Sequence, residues 1–295
     1  MRPPGAADSA TAQAIAGANA RPGTARRGGS PSGEPASGTD RGQMPVRGSV
    51  ALVTGASSGI GQATARALAD AGAHVLVHGR DREALSALAK QIGARPLPAD
   101  LADPAEVRRL AQCALDVDGR VDILVANAGV GWAGRFAQMP AEKAGRLVEV
   151  NLTAPIRLAR ALMPAMLERD RGFLAFVSSI AGRTGVAGEA VYAATKAGLD
   201  AFAESIRLEL RGTGIGVGVI VPGPVETRFF ERRGQPYRRS LPRPMPPERV
   251  ATALVRMIDR GGAEQYRPRW LRVPVAVRVL APALYRHLAR RYGGS

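Results

Sequence analysis

The fold is decided by the stretch Thr54-Gly55-Ala56-Ser57-Ser58-Gly59-Ile60-Gly61. It follows a short apolar run, Val50–Val53, which predicts a buried strand, and it precedes residues 62–71, whose apolar side chains recur with helical spacing. A glycine-rich turn between a strand and a helix presents the unpaired N–H groups of the helix N-terminus, which suit a pyrophosphate. The spacing is Gly-x3-Gly-x-Gly rather than the generic Gly-x-Gly-x-x-Gly, and its context favours a dinucleotide loop over an ordinary tight turn.

Apolar strands alternate with helical segments on both sides of this loop. The patterns predict strands at 74–78, 121–125, 173–177 and 215–221, and helices at 82–91, 147–167 and 191–210. Such alternation indicates βαβ units with right-handed crossovers and a parallel sheet that is covered on both faces. We therefore predict an α/β fold, a doubly wound, Rossmann-like parallel sheet. Because no linker interrupts residues 49–227, it forms a single domain.

The two ends of the chain differ from this middle part. Residues 1–43 hold almost no large apolar side chain, so we predict a disordered tail over 1–44, with Met44 as an alternative start of the protein. A catalytic domain is predicted over 45–265 and a basic helical extension over 266–295. The formal net charge is +16, and residues 228–295 alone carry sixteen Arg against four acids. Nucleic-acid binding is not expected, because the middle is nearly neutral and aromatics are only 4% of the chain.

Two further classes are excluded by composition. No run of about 18 apolar residues is present, so a membrane-spanning helix is not expected. A single cysteine, Cys113, excludes an internal disulfide, and the three histidines lie too far apart in the sequence to suggest a metal site.

Four motifs together resemble the short-chain dehydrogenase/reductase family, in its short single-domain branch. Beside the glycine-rich loop, they are Ala126-Asn127-Ala128-Gly129, Ser179 with Tyr192-Ala193-Ala194-Thr195-Lys196, and Pro222-Gly223-Pro224-Val225-Glu226-Thr227. Ala126 departs from the Asn that the family usually has there. The resemblance implies cofactor contacts from Gly55, Ser57, Ser58, Gly59, Ile60, Gly61, Arg80, Asp100, Leu101, Asn127, Ala128, Gly129, Tyr192, Lys196, Pro222, Gly223, Val225 and Thr227.

The end of the second predicted strand bears on the choice of cofactor. An NAD-preferring site usually has an acid here for the ribose 2′-hydroxyl, whereas this chain has His78-Gly79-Arg80. Arg80 can form a forked contact with a 2′-phosphate, so NADP(H) is expected, with NAD(H) as the alternative. Asp81 either supplies the missing acid or caps the helix that begins at residue 82.

Tyr192 and Lys196 are four residues apart on a predicted helix and therefore share one face. At about 4 Å and an effective dielectric near 20, an ammonium group favours a phenolate by about 4 kcal/mol, or roughly three pKa units. We therefore expect Lys196 to bring Tyr192 near working pH for proton transfer. The resemblance adds Ser179, which orients the substrate oxygen and is preferred to Ser178, and Asn151, which anchors a water in a relay to Lys196.

The expected function is that of an NADP(H)-dependent oxidoreductase that interconverts a ketone or aldehyde and an alcohol. The alternative is a catalytically silent dinucleotide-sensing or scaffold protein with the same fold. The resemblance implies a mobile substrate lid at about 228–247 and a homodimer or homotetramer. A cytoplasmic location is expected, with membrane association as the alternative. Other side chains expected around the substrate are those of Trp132, Phe136, Arg183 and Val186.

The basic extension at 266–295 has one apolar and one basic side when it is drawn as a helix. Val277, Leu280, Leu284 and Leu288 form the apolar stripe, and Arg278, Arg286 and Arg290 lie opposite. Pro282 either kinks this helix or begins a second one. Three interpretations stay open: a helix that covers the core or a subunit partner, contact with an anionic membrane that would suit a lipophilic substrate, and attraction of an anionic carrier-bound acyl substrate.

Overall fold

The computed structural model describes residues 42–237 and 242–292, which belong to one compact unit. Its strands are β1 (Val50–Val53), β2 (His74–Gly79), β3 (Arg95–Pro98), β4 (Ile123–Ala126), β5 (Gly172–Val177), β6 (Ile215–Pro222) and β7 (Glu264–Arg267). They form a seven-stranded sheet in the order β3-β2-β1-β4-β5-β6-β7, and every neighbouring pair is parallel. The predicted doubly wound, Rossmann-like sheet is confirmed.

Helices connect successive strands. They are α1 (Gly59–Asp70), α2 (Arg82–Ile92), α3 (Pro104–Asp118), α4 (Ala141–Val148), α5 (Ala154–Glu168), α6 (Ile180–Thr184), α7 (Ala190–Glu209), α8 (Phe229–Arg232), α9 (Pro247–Asp259), α10 (Arg272–Leu280) and α11 (Pro282–Tyr292). Short 3-10 turns occur at Phe136–Gln138 and Arg269–Leu271, and a π-turn at Glu149–Thr153 joins α4 to α5. The predicted helix at 147–167 is therefore two helices that meet at this turn.

The core consists of two apolar layers, one on each face of the sheet. Along β1 the side chains alternate between the layers, since Val50 and Leu52 face the layer of α3, α5 and α7, whereas Ala51 and Val53 face that of α1, α2 and α9. The strand order reverses between β1 and β4, which leaves a crevice at the carboxyl ends of the strands, where ligands bind in folds of this kind.

Two predicted boundaries differ from the structure. Met44, assigned to the tail, is fully buried, and its N–H donates to the carbonyl oxygen of Ile258 at 3.2 Å. The rest of the predicted tail, 1–41, lies outside the described residues. Tyr266, assigned to the C-terminal extension, is buried in β7 and belongs to the sheet. Beyond it the predicted helical extension is present as α10 and α11, and Pro282 begins the second helix.

Across the described ranges, no helix combines the length and the apolarity that crossing a bilayer requires. The same ranges contain no group of three or more His, Cys, Asp or Glu side chains arranged to hold a metal ion.

Candidate active site

A cavity of about 1330 Å³ opens at the carboxyl ends of the strands, in the predicted crevice. All but two of the predicted site residues line it; the exceptions are Gly61 and Asn151. The lining contains Gly55, Ser57, Ser58, Gly59 and Ile60 after β1, Arg80 after β2, Asp100 and Leu101 after β3, Asn127, Ala128 and Gly129 after β4, Ser179 after β5, Tyr192 and Lys196 from α7, and Pro222, Gly223, Val225 and Thr227 at the end of β6 and beyond it.

The glycine-rich loop fits a pyrophosphate. Ser58, the N-cap of α1, makes no side-chain capping bond, so the first N–H groups of the helix are left for a ligand. Gly59 has φ of +57°, which favours glycine, and a Cβ there would lie 2.7 Å from Cγ2 of Thr227. A Cβ on Gly61 would lie 2.2 Å from the carbonyl oxygen of Gly55, so Gly61 shapes the loop from behind the cavity.

Thr54 and Asn127 hold this loop against β4. The Thr54 Oγ1 accepts hydrogen bonds from the backbone N–H groups of Asn127 and Ala128, both at 3.0 Å. In return, Nδ2 of Asn127 donates to the carbonyl oxygen of Thr54 at 2.9 Å. The amide of Asn127, expected along the cofactor, thus mainly holds the loop in place. Thr54 is a further supporting residue, to which the sequence motif assigned no role.

His78 is a second support of the loop that the sequence did not reveal. It is buried at the end of β2, its Nε2 donates to the carbonyl oxygen of Ala99 at 3.1 Å, and its Nδ1 accepts from the N–H of Gly55 at 3.4 Å. Burial lowers the pKa of His78 to about 4, although the Ala99 carbonyl, Asp100 and Glu106 oppose this shift. The ring therefore stays neutral at pH 7 and joins the loop to the sheet.

Acid is expected to weaken the fold through His78. The unfolded chain takes up this proton below about pH 6.5, whereas the folded protein keeps the ring neutral down to about pH 4. The neutral ring therefore makes its full contribution to the free energy of unfolding above pH 6.5, and about 3 kcal/mol of that contribution is lost as the pH falls to 4. Urea unfolding at the two pH values should show a smaller acid loss for His78→Asn than for the wild type, with exposed His74→Asn as the matched control. Equal losses in all three proteins would contradict this assignment.

The end of β2 leaves space for a 2′-phosphate. Any side chain at position 79 would narrow this space, since a Cβ there would lie 3.2 Å from Ser57 Oγ, and Gly79 has none. The next residue, Arg80, is exposed and lines the cavity. Asp81 accepts a hydrogen bond from the N–H of Ala84 at 3.0 Å and is the N-cap of α2, the second of its two predicted roles.

A guanidinium group from α8 also reaches the glycine-rich loop. Nη1 of Arg232, at the end of α8, donates to Ser58 Oγ at 3.3 Å. Arg232 is therefore a candidate phosphate contact that sequence reasoning missed, because it lies 174 residues further along the chain.

Asp100, expected near the adenine, lies in the lining but is already paired. Nη2 of Arg146 donates to both carboxylate oxygens, at 3.1 and 2.9 Å, and the N–H of Ala102 donates to Oδ1 at 3.1 Å. Burial raises the pKa of Asp100, but these donors outweigh it and leave the pKa below its usual value. Asp100 is thus a fixed carboxylate in the cavity lining.

Ser179, Tyr192 and Lys196 lie together in another part of this lining, the catalytic end of the cavity. Ser179 caps α6 by accepting from the N–H of Ala181 at 3.2 Å, and its side chain lies beside the phenol of Tyr192, whose pKa it lowers. The neighbouring Ser178 is buried beside Asp200, which agrees with the choice of Ser179. Lys196 is buried, its Nζ lies 5.9 Å from the centroid of the Tyr192 ring, and it donates to the carbonyl oxygen of Val177 at 2.8 Å.

The pKa of Tyr192 differs from the expectation. Burial raises the pKa of Tyr192 above its usual value, and the neighbouring Ser179 side chain and the charge of Arg233 offset only part of this. Burial also lowers the pKa of Lys196 to about 8, opposed by Asp200. The expected fall in the pKa of Tyr192 is therefore not found, because burial disfavours the charged form of both groups. Tyr192 is a protonated acid at neutral pH.

Asn151 lies in the π-turn, behind the cavity wall. Its Oδ1 accepts from the N–H of Val130 at 2.8 Å, and its Nδ2 donates to the Val130 carbonyl oxygen at 2.9 Å and to Thr195 Oγ1 at 3.3 Å. A Cβ on Gly129 would lie 3.4 Å from Asn151 Oδ1 and 3.7 Å from Lys196 Nζ, which places both groups beside the same backbone position. A π-turn inside a helix is often found at functional sites.

The segment after β6 covers Tyr192. The ring of Phe229 lies 5.3 Å from that of Tyr192, and Arg233 forms an ion pair with Glu189, just before α7. Arg233 also stacks on Phe230, with 4.7 Å between the guanidinium carbon and the ring centroid. Phe229 and Arg233, within the predicted lid at 228–247, thus lie at the catalytic end. Residues 238–241 lie outside the described residues.

Three of the other four residues expected around the substrate line a cavity, and the fourth does not. Val186 lines the main cavity, and Trp132 and Phe136 line a small neighbouring one that also touches Tyr192. The expectation for Arg183 is wrong, since it forms ion pairs with Asp200 and Glu264, both at 2.6 Å, and lines neither cavity.

A Rossmann-like sheet whose crevice ends in a Ser-Tyr-Lys group defines a class of nicotinamide-dependent oxidoreductases. The family model described as short chain dehydrogenase matches residues 49–238, and the chain belongs to this family. It is thus an oxidoreductase of the short-chain dehydrogenase/reductase family with a site for NAD(P).

Three relatives illustrate the range of similarity. An uncharacterized oxidoreductase of Myxococcus xanthus is 39% identical over 82% of this chain and 96% of its own. The 3-oxoacyl-acyl-carrier-protein reductase FabG of Escherichia coli is 35% identical over 71% of this chain and 87% of its own. The structure of a short-chain dehydrogenase from Sphingobium yanoikuyae in complex with NADPH superposes with a TM-score of 0.71 at 32% identity, and covers 81% of this chain and 93% of that one.

Proposed function

We propose that the protein is an NADP(H)-dependent oxidoreductase that interconverts a ketone or aldehyde and an alcohol. The observation that carries this proposal is that Ser179, Tyr192 and Lys196 lie together in the same cavity as the glycine-rich loop. A catalytically silent sensor or scaffold would not need an acid, an orienting hydroxyl and a buried ammonium group at one point.

The proposed mechanism assigns one task to each side chain. A bound nicotinamide dinucleotide supplies or accepts the hydride. Ser179 donates a hydrogen bond to the substrate oxygen, and Tyr192, protonated at neutral pH because of its burial, gives that oxygen its proton during reduction. Lys196 presents its ammonium group beside the ring and holds the cofactor ribose, while Asn151 fixes the backbone at Val130 and the water that relays protons to Lys196.

NADP(H) is the proposed cofactor, with NAD(H) as the alternative. Gly79 leaves space at the end of β2, Arg80 stands at the cavity edge, and the carboxylate of Asp81 is engaged as a helix cap. Arg232 adds a second guanidinium group near Ser58. The relative from Sphingobium yanoikuyae is described as a complex with NADPH, which supports the same choice.

The proposed substrate is a small carbonyl compound or alcohol, and the aromatic rings of Phe229 and Phe230 in the lining suit a lipophilic one. A 3-oxoacyl thioester is one member of this class, in view of the Escherichia coli relative. We also propose a homodimer or homotetramer, because Val148, Leu167 and Leu208 are exposed on α4, α5 and α7.

A screen of cofactor oxidation tests the proposed function. Ketones, aldehydes, steroids and 3-oxoacyl thioesters are offered with NADPH, and NADH serves as the control. We expect at least one carbonyl class to be reduced faster with NADPH than with NADH. If the protein binds dinucleotide but turns over no substrate in either direction, the silent alternative holds instead.

The pH dependence of the reduction should report Lys196. Because the pKa of Lys196 is about 8 and Tyr192 stays protonated, kcat/KM for NADPH is expected to be constant from about pH 6 to 7 and to fall about tenfold per pH unit above pH 8. Asp200 opposes the fall in the pKa of Lys196, so Asp200→Asn should move the break to lower pH. A profile that is flat to pH 10 would exclude this role.

A further inference from the structure

The last two helices, α10 and α11, form a C-terminal hairpin that is attached to the domain along one side. Arg278 donates to the carbonyl oxygen of Arg183, and the hydroxyl of Tyr285 donates to the carbonyl oxygen of Thr184 at 2.8 Å. Val275 packs against the core. These contacts fix which side of the hairpin faces outward.

The outward face of α10 is apolar, the reverse of what a surface helix usually shows. Val273, Val279 and Leu280 are 62%, 73% and 84% exposed. With Ala276 and Arg272, they fall within a sector about 120° wide at 100° per residue. Leu284 and Leu288 of α11 and the adjacent Trp270 are exposed as well, so most of the large exposed apolar side chains of the described residues lie between 270 and 288.

The same segment is strongly basic. Residues 265–295 contain seven Arg and no Asp or Glu. At its base, Arg256, Arg267, Arg269 and Arg272 lie close enough for the other three to lower the pKa of Arg267, together with its burial. Within the ranges that the structure describes, none of these four forms an ion pair with a carboxylate. Such a cluster is favourable where it meets an anion.

We propose that the C-terminal hairpin, with Trp270 and the arginine cluster, lies on the surface of an anionic lipid membrane. Acyl chains accept the valine and leucine side chains, and lipid phosphates pair with the guanidinium groups, so one surface satisfies both features. The nine residues of α10 span about 14 Å, less than half of the roughly 30 Å hydrocarbon core, so the helix lies in the plane of the membrane.

Two other occupants fit less well. A second copy of the chain placed symmetrically on this surface would bring two arginine clusters together, and like charges at an interface repel. A nucleic acid would pair with the arginines but would leave exposed aliphatic side chains without a partner. The proposal is independent of the proposed catalytic activity, because it uses none of the catalytic residues.

Vesicle flotation of the full-length protein tests the proposal. We expect the protein to float with vesicles of phosphatidylcholine and phosphatidylglycerol and to bind vesicles of phosphatidylcholine alone at least tenfold more weakly. Raising NaCl from about 0.1 M to about 1 M shortens the Debye length from about 10 Å to about 3 Å and should release most of the bound protein. Flotation that ignores both lipid charge and salt would overturn the proposal.

Two variants separate the apolar and basic contributions. The double change Val279→Asp and Leu280→Asp should lower the vesicle partition coefficient at least tenfold without altering the unfolding temperature, because both side chains point into solvent. Arg269→Glu should lower it at least fivefold. Ala87→Asp, at an exposed alanine of α2, is the control for an added surface carboxylate and should bind vesicles like the wild type. Unchanged flotation of the double variant, loss of self-association in it, or retention on DNA without vesicle binding would each refute the membrane surface.

Discussion

Replacing Tyr192 by phenylalanine is expected to lower turnover by at least about 10³-fold, because it removes the only proton donor that we assign to the substrate oxygen. The Tyr192 ring is buried and packs against that of Phe229, so the phenyl ring should keep its place. Dinucleotide affinity, measured by fluorescence titration with NADPH, should change less than about threefold. The signature is therefore a loss in kcat without a loss in binding.

Tyr285→Phe is the control for this experiment. It removes a tyrosine hydroxyl that donates a hydrogen bond at 2.8 Å, but to the carbonyl oxygen of Thr184 rather than to the site. This variant should keep wild-type turnover. If Tyr192→Phe retained a tenth or more of the wild-type kcat, another proton donor would have to be sought.

Arg80→Asp is expected to invert the cofactor preference. A charge-assisted contact with a 2′-phosphate contributes about 1.5–3 kcal/mol, and an acid in its place repels that phosphate while accepting a ribose 2′-hydroxyl. The ratio of kcat/KM for NADPH to that for NADH should fall by about 10³-fold. Steady-state kinetics with both dinucleotides at a fixed carbonyl substrate measure this ratio.

Arg82→Asp makes the same charge change two residues away. Arg82 is exposed in the first turn of α2, where an acid is favourable to the helix, so folding should not suffer. Its cofactor ratio should stay within about threefold of the wild type. A similar fall in both variants would mean that Arg80 acts through the general field of the surface and makes no direct contact with a 2′-phosphate.

The parts of the fold that could be predicted are those in which apolar residues recur without interruption. The runs at β1, β4, β5 and β6 are buried throughout and have clear turns beside them. In contrast, β3 contains two prolines and β7 is largely polar, and both lie at edges of the sheet, where a proline or a polar side chain is tolerated. Neither has the apolar pattern by which a strand is recognised.

The site could be predicted where one motif supplies both the residue and its neighbours. Ser179 and Tyr192 follow from the family motif, and the structure brings both into the lining of one cavity. His78 and Arg232 could not be found in this way, because their partners, Gly55 and Ser58, lie 23 and 174 residues away. The raised pKa of Tyr192 could not be predicted either, because the burial that causes it depends on the complete fold.

The π-turn at Glu149–Thr153 makes the number of residues between α4 and α5 a requirement of the site. A π-turn contains one more residue than the α-helical turn it replaces. Removing a residue from this turn would restore regular winding, so α4 and α5 would keep nearly their present orientation, but the remaining residues of the turn would move around the helix axis, by up to about 100° each. The amide of Asn151 would then swing away from Val130 even if every side chain in the cavity were kept. Insertions and deletions here are therefore as damaging as the loss of a functional group.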